Sequence, residues 1–237
     1  MRNSGCHALQ ASPVFPAYVE QALAGSDPKL ILSGVMDRSN GYEGIAPEFL
    51  ARRGSGRSTG IGVNQVRKWA RTLPPGAAVI DLGCGPGFPI TEVLVAESLS
   101  TFGVDPAPSL VQAFQRNLPN TPVVCEAIQD SRFFDRTFDG VLAWGLMFLL
   151  SPEDQRHLIE RIAGILVPGG RLLFTSPAEP IVWNDAMTGL ESRSLGAAEY
   201  RRHMSAVGLS VASEYEDEGQ NHYFDAFKDA HSLANPR

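Results

Sequence analysis

The fold of this chain is decided by residues 79–88, which read Val79-Ile80-Asp81-Leu82-Gly83-Cys84-Gly85-Pro86-Gly87-Phe88. The apolar residues that open this stretch are typical of a buried parallel strand, and Ile90, Val93 and Leu94 fall on one face of a following helix. Because glycine lacks a Cβ, the turn between strand and helix can approach a ligand closely, beside the free N–H groups of the helix. The stretch therefore predicts a strand-turn-helix unit with a ligand at its turn.

The spacing of the glycines separates two classes of cofactor site. A dinucleotide-binding turn reads Gly-x-Gly-x-x-Gly and holds a pyrophosphate, whereas this turn reads Asp-x-Gly-x-Gly-x-Gly from Asp81 to Gly87. An acid directly before the turn would repel a pyrophosphate but attract a cation. The pattern resembles motif I of the class I S-adenosylmethionine (SAM)-dependent methyltransferases, whose cofactor carries a cationic amino group. The alternatives are a Rossmann-type NAD(P)-dependent oxidoreductase and a glycine-rich turn that binds nothing.

Four further places in the sequence resemble the same family, in its order and spacing. The segment Gly41–Phe49 resembles a lid near the N-terminus of many small-molecule methyltransferases. Asp105 ends a predicted strand about twenty residues beyond the glycine turn, where a carboxylate can accept hydrogen bonds from both ribose hydroxyls. Residues 122–127 resemble the adenine-binding segment, and residues 166–174 resemble the turn before the fifth strand. The resemblance thus covers about residues 41–176.

The resemblance implies a doubly wound α/β sandwich of Rossmann-like type. Seven strands are expected in the order 3-2-1-4-5-7-6, with the last strand antiparallel. Residues 41–230 are the predicted methyltransferase domain, and residues 1–40, rich in Ser, Pro, Gly and Ala, are a predicted poorly ordered extension. The implied cofactor is SAM. The residues predicted to bind it are Tyr42, Asp81, Gly83, Cys84, Gly85, Gly87, Asp105, Pro106, Glu126, Ala127 and Ala143.

The acceptor is expected where the fourth strand ends, because open α/β sheets bind ligands at that edge. Beyond residue 176 the chain is variable within the family, and residues 177–195 are predicted to form an irregular acceptor-binding loop. Aromatic side chains can wall a pocket for a planar or cationic acceptor. Those predicted to do so are Trp144, Phe148, Trp183 and Tyr223. His222 begins a predicted strand near this crevice and is the candidate general base.

Composition and charge limit the classes of partner. The 237 residues carry a formal net charge of −6 at pH 7. This charge argues against a sequence-independent nucleic-acid binder, which needs many phosphate-neutralising cations. No apolar run reaches the length of a membrane span, residues 1–10 do not resemble a signal peptide, and Cys6, Cys84 and Cys125 lack the spacing of a metal site.

These features together predict a cytoplasmic methyltransferase that acts on a small molecule. The predicted partner is a small-molecule acceptor (an N, O or carboxylate group), with no nucleic acid, no membrane and no metal. Two alternatives stay open, the NAD(P)-dependent oxidoreductase and a catalytically silent SAM-binding module, because sequence alone does not separate binding from turnover. The oligomeric state is left open.

Overall fold

The structure is a computed structural model that describes residues 37–53 and 60–230. Most of the predicted N-terminal extension, residues 1–36, lies outside the described residues. Residues 37–40, which composition assigns to the same extension, are described and line a cavity of the fold.

Helices and strands alternate along most of the described chain. The helices are α1 (Ala46–Arg53), α2 (Val63–Ala70), α3 (Ile90–Ala96), α4 (Pro108–Asn117), α5 (Pro152–Ile165) and α6 (Ala197–Ala206). The strands are β1 (Ala78–Leu82), β2 (Ser100–Asp105), β3 (Val123–Cys125), β4 (Phe138–Ala143), β5 (Leu166–Thr175), β6 (Ile181–Asn184), β7 (Glu191–Ser194), β8 (Leu209–Glu216) and β9 (His222–Lys228). Short 3-10 helices occupy Phe133–Asp135 and Met147–Leu149.

The main sheet has seven strands in the order β3-β2-β1-β4-β5-β9-β8. Strands β1 to β5 are parallel, and β9 runs antiparallel to both β5 and β8. The predicted order is confirmed, since β6 and β7 pair with each other outside this sheet. Strand order reverses at β1, which lies between β2 and β4, and this is where an open α/β sheet leaves a crevice at its carboxyl edge.

Apolar side chains cover both faces of the sheet. Every residue of β1 is buried, as expected for a strand with helices on both sides. Successive side chains point to opposite faces. Val79 therefore packs with α2 and α3, whereas Ile80 packs with α5 and α6. This two-sided core fixes the positions of the strand ends that form the crevice.

The region of residues 177–195 differs from the prediction of an irregular loop. Strands β6 and β7 form a hairpin, with Ile181 opposite Ser194 and Asn184 opposite Glu191. Asp185 closes its tip, because one carboxylate oxygen accepts the N–H groups of Met187 and Thr188 at 2.9 and 2.8 Å. Each strand is only four residues long. This is too short for an alternation of apolar and polar residues to be recognised in the sequence.

Candidate functional site

The glycine turn after β1 leaves an open space at the carboxyl edge of the sheet. Gly83 and Cys84 donate their N–H groups to the Val104 carbonyl at 2.8 and 3.2 Å, which ties the turn to β2. Gly85 has a φ of +53°, a conformation that favours glycine. Among the described residues, a Cβ on Gly85 would meet only the Phe49 ring, at 3.8 Å. A ligand can therefore lie directly against the backbone here.

Gly87 has a different role from the one that the motif predicts. A Cβ at this position would lie 2.8 Å from the Leu118 side chain and 3.1 Å from the Phe114 ring. The missing side chain thus makes room for the end of α4, and Gly87 does not line the cavity described below. The structure places this glycine in the packing beneath the turn and not against a ligand.

Two buried carboxylates face the crevice. Asp81 accepts a hydrogen bond from Thr91 Oγ1 at 2.6 Å, and Asp105 accepts the N–H groups of Gly85 and Ala107 at 2.8 and 2.9 Å. Burial raises the pKa of Asp81 to about 7 and that of Asp105 to about 6, and these hydrogen bonds only partly oppose the effect. A ligand that brings a positive charge or hydrogen-bond donors would stabilise both carboxylates in their ionised form.

A cavity of about 300 Å³ runs from these carboxylates along the ends of β1, β2 and β4. The predicted site residues that line it are Tyr42, Asp81, Gly83, Cys84, Gly85, Asp105, Pro106 and Trp144. Residues that were not singled out from the sequence also line it, among them Asp37, Asn40, Ile128, Gln129, Gly145 and Asp154. The carboxylate residues Asp81 and Asp105 and the aromatic residue Trp144 therefore line the same cavity.

Residues 37–50, which we call the cover, close one side of this cavity. The Glu43 carboxylate accepts hydrogen bonds from the N–H and the Oγ of Ser109, at 2.9 and 2.7 Å. Ser109 lies in the first turn of α4, where the helix dipole and the free N–H groups favour a carboxylate. The rings of Tyr42 and Phe49 pack edge to face at 5.2 Å between centroids. The cover is thus attached to the sheet through α4.

The segment predicted to bind adenine reaches the cavity two residues later than expected. Glu126 is exposed and Ala127 is half-buried, and neither lines the cavity, whereas Ile128 and Gln129 do. The chain turns directly after β3, in a turn closed by two N–H groups on the Ala127 carbonyl. Arg161 on α5 donates to the carbonyls of Ile128 and Gln129 at 2.6 and 2.7 Å and so holds this loop in place. The predicted positions of Glu126 and Ala127 are corrected accordingly.

After β4, the chain enters the cavity one residue after the predicted position. Ala143 is fully buried in the core and does not line the cavity, whereas Trp144, Gly145 and Leu146 do. Gly145 donates its N–H to Thr175 Oγ1 at 2.8 Å. Apart from Gly145 itself and its two chain neighbours, no described atom lies within 4 Å of the place where a Cβ on Gly145 would be. The space next to Trp144 is therefore open.

Three aromatic residues predicted to contact the acceptor do not line the cavity. The rings of Phe148 and Trp183 pack against each other at 5.4 Å and join the 3-10 helix Met147–Leu149 to β6. Tyr223 is fully buried behind Trp144, whose Nε1 donates to the Tyr223 hydroxyl at 2.8 Å. Of the four predicted acceptor residues, Trp144 is the one that the structure brings to the cavity.

His222 lies at the start of β9, as predicted, but its ring faces away from the cavity. Its Nε2 is 3.0 Å from a Glu214 carboxylate oxygen, and its ring packs on Phe224 at 4.8 Å. Phe224 belongs to the core beneath α6, whereas Tyr223, the next residue along the strand, points to the face of Trp144. The geometry does not support the hypothesis that His222 is a general base.

Some of the cavity-lining residues that were not predicted lie in a recognisable sequence pattern, and others do not. Ser151 is the N-cap of α5, since its Oγ accepts the N–H of Asp154 at 3.1 Å, and Asp154 in turn accepts a hydrogen bond from Gln129 at 3.3 Å. A Ser-Pro pair before an apolar helical period is a recognised start signal for a helix. Residues 37–40 carry no such pattern, so only the folded chain shows that they line the cavity.

Two further observations apply to residues 37–53 and 60–230. Within these ranges no group of three or more His, Cys, Asp or Glu side chains is arranged to hold a metal ion. None of the helices in the same part of the chain has the length and apolar character needed to cross a bilayer.

Comparison with known sequences identifies a methyltransferase domain at residues 79–170. A probable tRNA methyltransferase 9B from Homo sapiens is 30% identical over 135 residues, which are 56% of this chain and 27% of that relative. A tRNA U34 carboxymethyltransferase from Hahella chejuensis is 28% identical over 158 residues, which are 62% of this chain and 46% of that relative. The chain therefore spans less than half the length of these curated relatives.

Solved structures share the fold at low sequence identity. A magnesium protoporphyrin IX methyltransferase from Synechocystis with bound SAM has a TM-score of 0.64 at 15% identity, with 84% of this chain and 100% of that chain covered. A TehB-like SAM-dependent methyltransferase from Corynebacterium glutamicum has a TM-score of 0.61 at 19% identity, with 80% of this chain and 97% of that chain covered. Identities this low support the fold and not the substrate.

The relatives contradict the prediction that this chain has no nucleic-acid partner. That prediction rested on the formal net charge of −6. A net charge is a sum over the whole chain and does not describe the one surface at which a nucleic acid would bind. The named relatives are tRNA methyltransferases, so the exclusion of a nucleic-acid partner is withdrawn.

Proposed function

Because this chain belongs to the class I SAM-dependent methyltransferases, we propose that it transfers a methyl group from SAM to an acceptor that enters the cavity beside Trp144. The observation that carries this proposal is the single cavity that Asp81, Asp105, Trp144 and Gly145 all line. SAM is the cofactor of the family. Its length and its two kinds of polar group, a cationic amine and a ribose, suit a cavity with two separate acids.

The two acids have distinct roles in this proposal. Asp105 would accept hydrogen bonds from the ribose hydroxyls, since it lies at the end of β2 with its carboxylate already oriented by Gly85 and Ala107. Asp81 would face the cationic amino group, because it is buried and a positive charge would restore its ionised form. Gln129, held by Arg161 through its carbonyl, would approach the adenine.

The chain contributes position and the exclusion of water. SAM supplies a methyl group activated by the positive sulfonium, and the transfer is an in-line displacement by the acceptor atom. The cover shields one side of the cavity through Tyr42 and Phe49, and Trp144 forms the wall at the acceptor end. Closing the site in this way keeps water from competing with the acceptor. No step is assigned to His222, because its ring lies on the other face of the sheet.

A tRNA acceptor is favoured by the relatives, which include the human and Hahella chejuensis tRNA methyltransferases. A base turned out of its strand could reach the open space at Gly145 and stack on the Trp144 ring. We therefore take a tRNA base as the first acceptor class to test.

A free small molecule is the second candidate, and the closure of the site favours it. The cover is attached to α4 by the two hydrogen bonds between Glu43 and Ser109, and it lies over a cavity of about 300 Å³. An acceptor that enters beneath a cover in this way is more readily a compact molecule than a folded polymer.

Transfer of tritium from methyl-labelled SAM tests the proposal with both acceptor classes. Bulk tRNA is one arm, and a panel of free amines, phenols, carboxylates and thiols is the other. The expected result is label in at least one arm, lowered by Trp144→Ala and retained in His222→Ala, the matched control whose ring lies away from the cavity. SAM binding without transfer in any arm would instead identify a silent SAM-binding module.

A further inference from the structure

A chain of buried hydrogen bonds fixes the Trp144 indole. Trp144 Nε1 donates to the Tyr223 hydroxyl at 2.8 Å, and that hydroxyl donates to Asp217 Oδ2, also at 2.8 Å. Tyr223 is fully buried, and Asp217 is 8% exposed. Since the hydroxyl donates its hydrogen bond to the carboxylate, its oxygen lone pairs can accept a hydrogen bond from the indole N–H. Asp217 thereby sets the direction in which the indole N–H points.

Asp217 is itself held in the link between β8 and β9. Its Oδ1 accepts the N–H groups of Gly219 and Asn221 at 2.9 and 3.0 Å, and both of its oxygens lie within hydrogen-bond distance of Asn221 Nδ2. Burial, together with the neighbouring Asp217 carboxylate, raises the pKa of Tyr223 well above its ordinary value, so the phenol keeps its proton. The Tyr223 hydroxyl therefore keeps the proton with which it donates to Asp217.

The backbone packs directly onto this pair of side chains. A Cβ on Gly62 would lie 2.6 Å from Trp144 Nε1 and 2.8 Å from the Tyr223 hydroxyl, so the N-cap of α2 leaves no room there for a side chain. On the other side, the Tyr215 ring stacks on the Tyr223 ring at 5.2 Å with an angle of 11° between planes. The indole is thus held by Tyr223 and by the backbone at Gly62, while Asp217 and Tyr215 hold Tyr223 in place.

This arrangement decides which part of the indole an acceptor can meet. The N–H of Trp144 points at a buried hydroxyl, so the surface that Trp144 offers to the cavity is ring carbon. We infer that Asp217 and Tyr223 are positioning residues that select acceptors with a flat aromatic ring, by presenting Trp144 as a stacking wall without a free hydrogen-bond donor. The open space over Gly145, beside this wall, is where the ring would lie.

The inference rests on the proposed methyl transfer and deepens it by naming the acceptor chemistry. A flat ring can come from a tRNA base or from a free aromatic molecule, and both stack on an indole in the same way. An aliphatic acceptor has no ring face and would gain little from the wall. The two sources and the aliphatic alternative are therefore separate arms of the test.

The test pairs Tyr223→Phe with Tyr215→Phe. The first change removes the hydroxyl that accepts the indole proton and keeps the ring, whereas the second removes a hydroxyl from the stacked neighbour and is the matched control. In the full chain labelled with nitrogen-15, the indole N–H resonance of Trp144, assigned by its loss in Trp144→Phe, should move in Tyr223→Phe and stay in Tyr215→Phe. A global loss of folding would move all the tryptophan resonances together and is recognised in the same spectrum.

Binding to the complex with S-adenosylhomocysteine then tests selectivity without a known acceptor. The probes are N-methylquinolinium, a flat aromatic cation, and cyclohexyltrimethylammonium, a cation of similar size with no aromatic ring. We expect the parent and Tyr215→Phe to prefer the aromatic probe by about 10-fold or more, and Tyr223→Phe to lose most of that preference. Equal binding of the two probes to the parent, or an unchanged preference in Tyr223→Phe, overturns the inference.

Methyl-transfer assays complete the test and separate it from the proposed function. Tyr223→Phe should raise the acceptor KM by about 5-fold or more for bulk tRNA or for a free aromatic acceptor, with the SAM dissociation constant unchanged within about twofold. An aliphatic acceptor used equally well by parent and variant would overturn the inference while leaving the methyltransferase assignment in place. Failure of the parent to bind S-adenosylhomocysteine would instead count against the proposed function itself.

Discussion

Asp81 and Asp105 are carboxylates that the fold keeps out of water at the end of two neighbouring strands. Each accepts hydrogen bonds from the protein, yet burial still raises the pKa of Asp81 to about 7 and that of Asp105 to about 6. Such groups are costly to the ligand-free fold in their ionised form. A ligand that brings a positive charge and hydrogen-bond donors would stabilise these two ionised carboxylates. This is the role proposed for SAM.

The first residue-scale prediction contrasts two acids that were both assigned to the cofactor from the sequence. Asp105→Asn should weaken SAM binding by about 10- to 150-fold, because a charge-assisted pair of hydrogen bonds contributes roughly 1.5 to 3 kcal/mol. Glu126→Gln, which changes an exposed side chain outside the cavity, should leave the dissociation constant within about twofold. Calorimetric titration gives the SAM dissociation constant of each variant. An equal change in both constants would reject the placement of the ribose at Asp105.

The second residue-scale prediction concerns pH. In the folded chain the pKa of Asp81 is raised from 3.8 to about 7, so the ligand-free fold holds a proton that the unfolded chain releases at lower pH. The stabilisation from this proton is complete below about pH 4 and is lost as the pH rises toward 7. The melting temperature of the parent should fall as the pH is raised from 4.5 to 8, and that of Asp81→Asn should fall less. Parallel profiles would contradict the assigned pKa.

At the scale of elements, the cover is the part of the site with the least support from the sheet. It begins at residue 37, contributes Tyr42 and Phe49 to the cavity, and is attached at Glu43 to the first turn of α4. The rest of the site lies on strand ends that the core of the sheet holds on both faces. Ligand entry is therefore expected to depend on the cover more than on the strands.

The element-scale prediction uses two shortened chains. A chain that begins at Met36 keeps every described residue that lines the cavity and should bind SAM within about threefold of the full chain. A chain that begins at Gly41 lacks Asp37, Arg38, Ser39 and Asn40, which line the cavity, and should bind about 10-fold more weakly. Titration of both chains with SAM tests this. Equal affinities would show that residues 37–40 contribute nothing to the site.

For the whole molecule, the sequence predicted the sheet better than it predicted the site. The strand order and the antiparallel β9 agree with the expectation from the motif, since apolar runs, glycine turns and Pro-Gly-Gly boundaries are local signals. Asp81 and Asp105 were found for the same reason, because their places follow directly from the ends of β1 and β2.

The parts that were not predicted depend on contacts distant in sequence. Nothing near His222 shows that its ring turns toward Phe224, and nothing near Tyr223 shows that it lies behind Trp144. Both facts follow from the pairing of β9 with β5, which assigns alternate side chains to opposite faces. Ile128 and Gln129 line the cavity in place of the predicted Glu126 and Ala127. Their position likewise depends on a tight turn after β3 and on Arg161 from α5.

The most direct test of the central claim, that this cavity is a SAM site, is calorimetric titration of the full chain with SAM and with NADH. A cavity lined by the buried acids Asp81 and Asp105 should attract the cationic amine of SAM and repel the pyrophosphate of NADH. We predict a single SAM site with an affinity at least about 100-fold higher than that for NADH, equal to about 2.7 kcal/mol. Binding of NADH as tight as that of SAM, or no binding of SAM by the folded chain, would contradict the account.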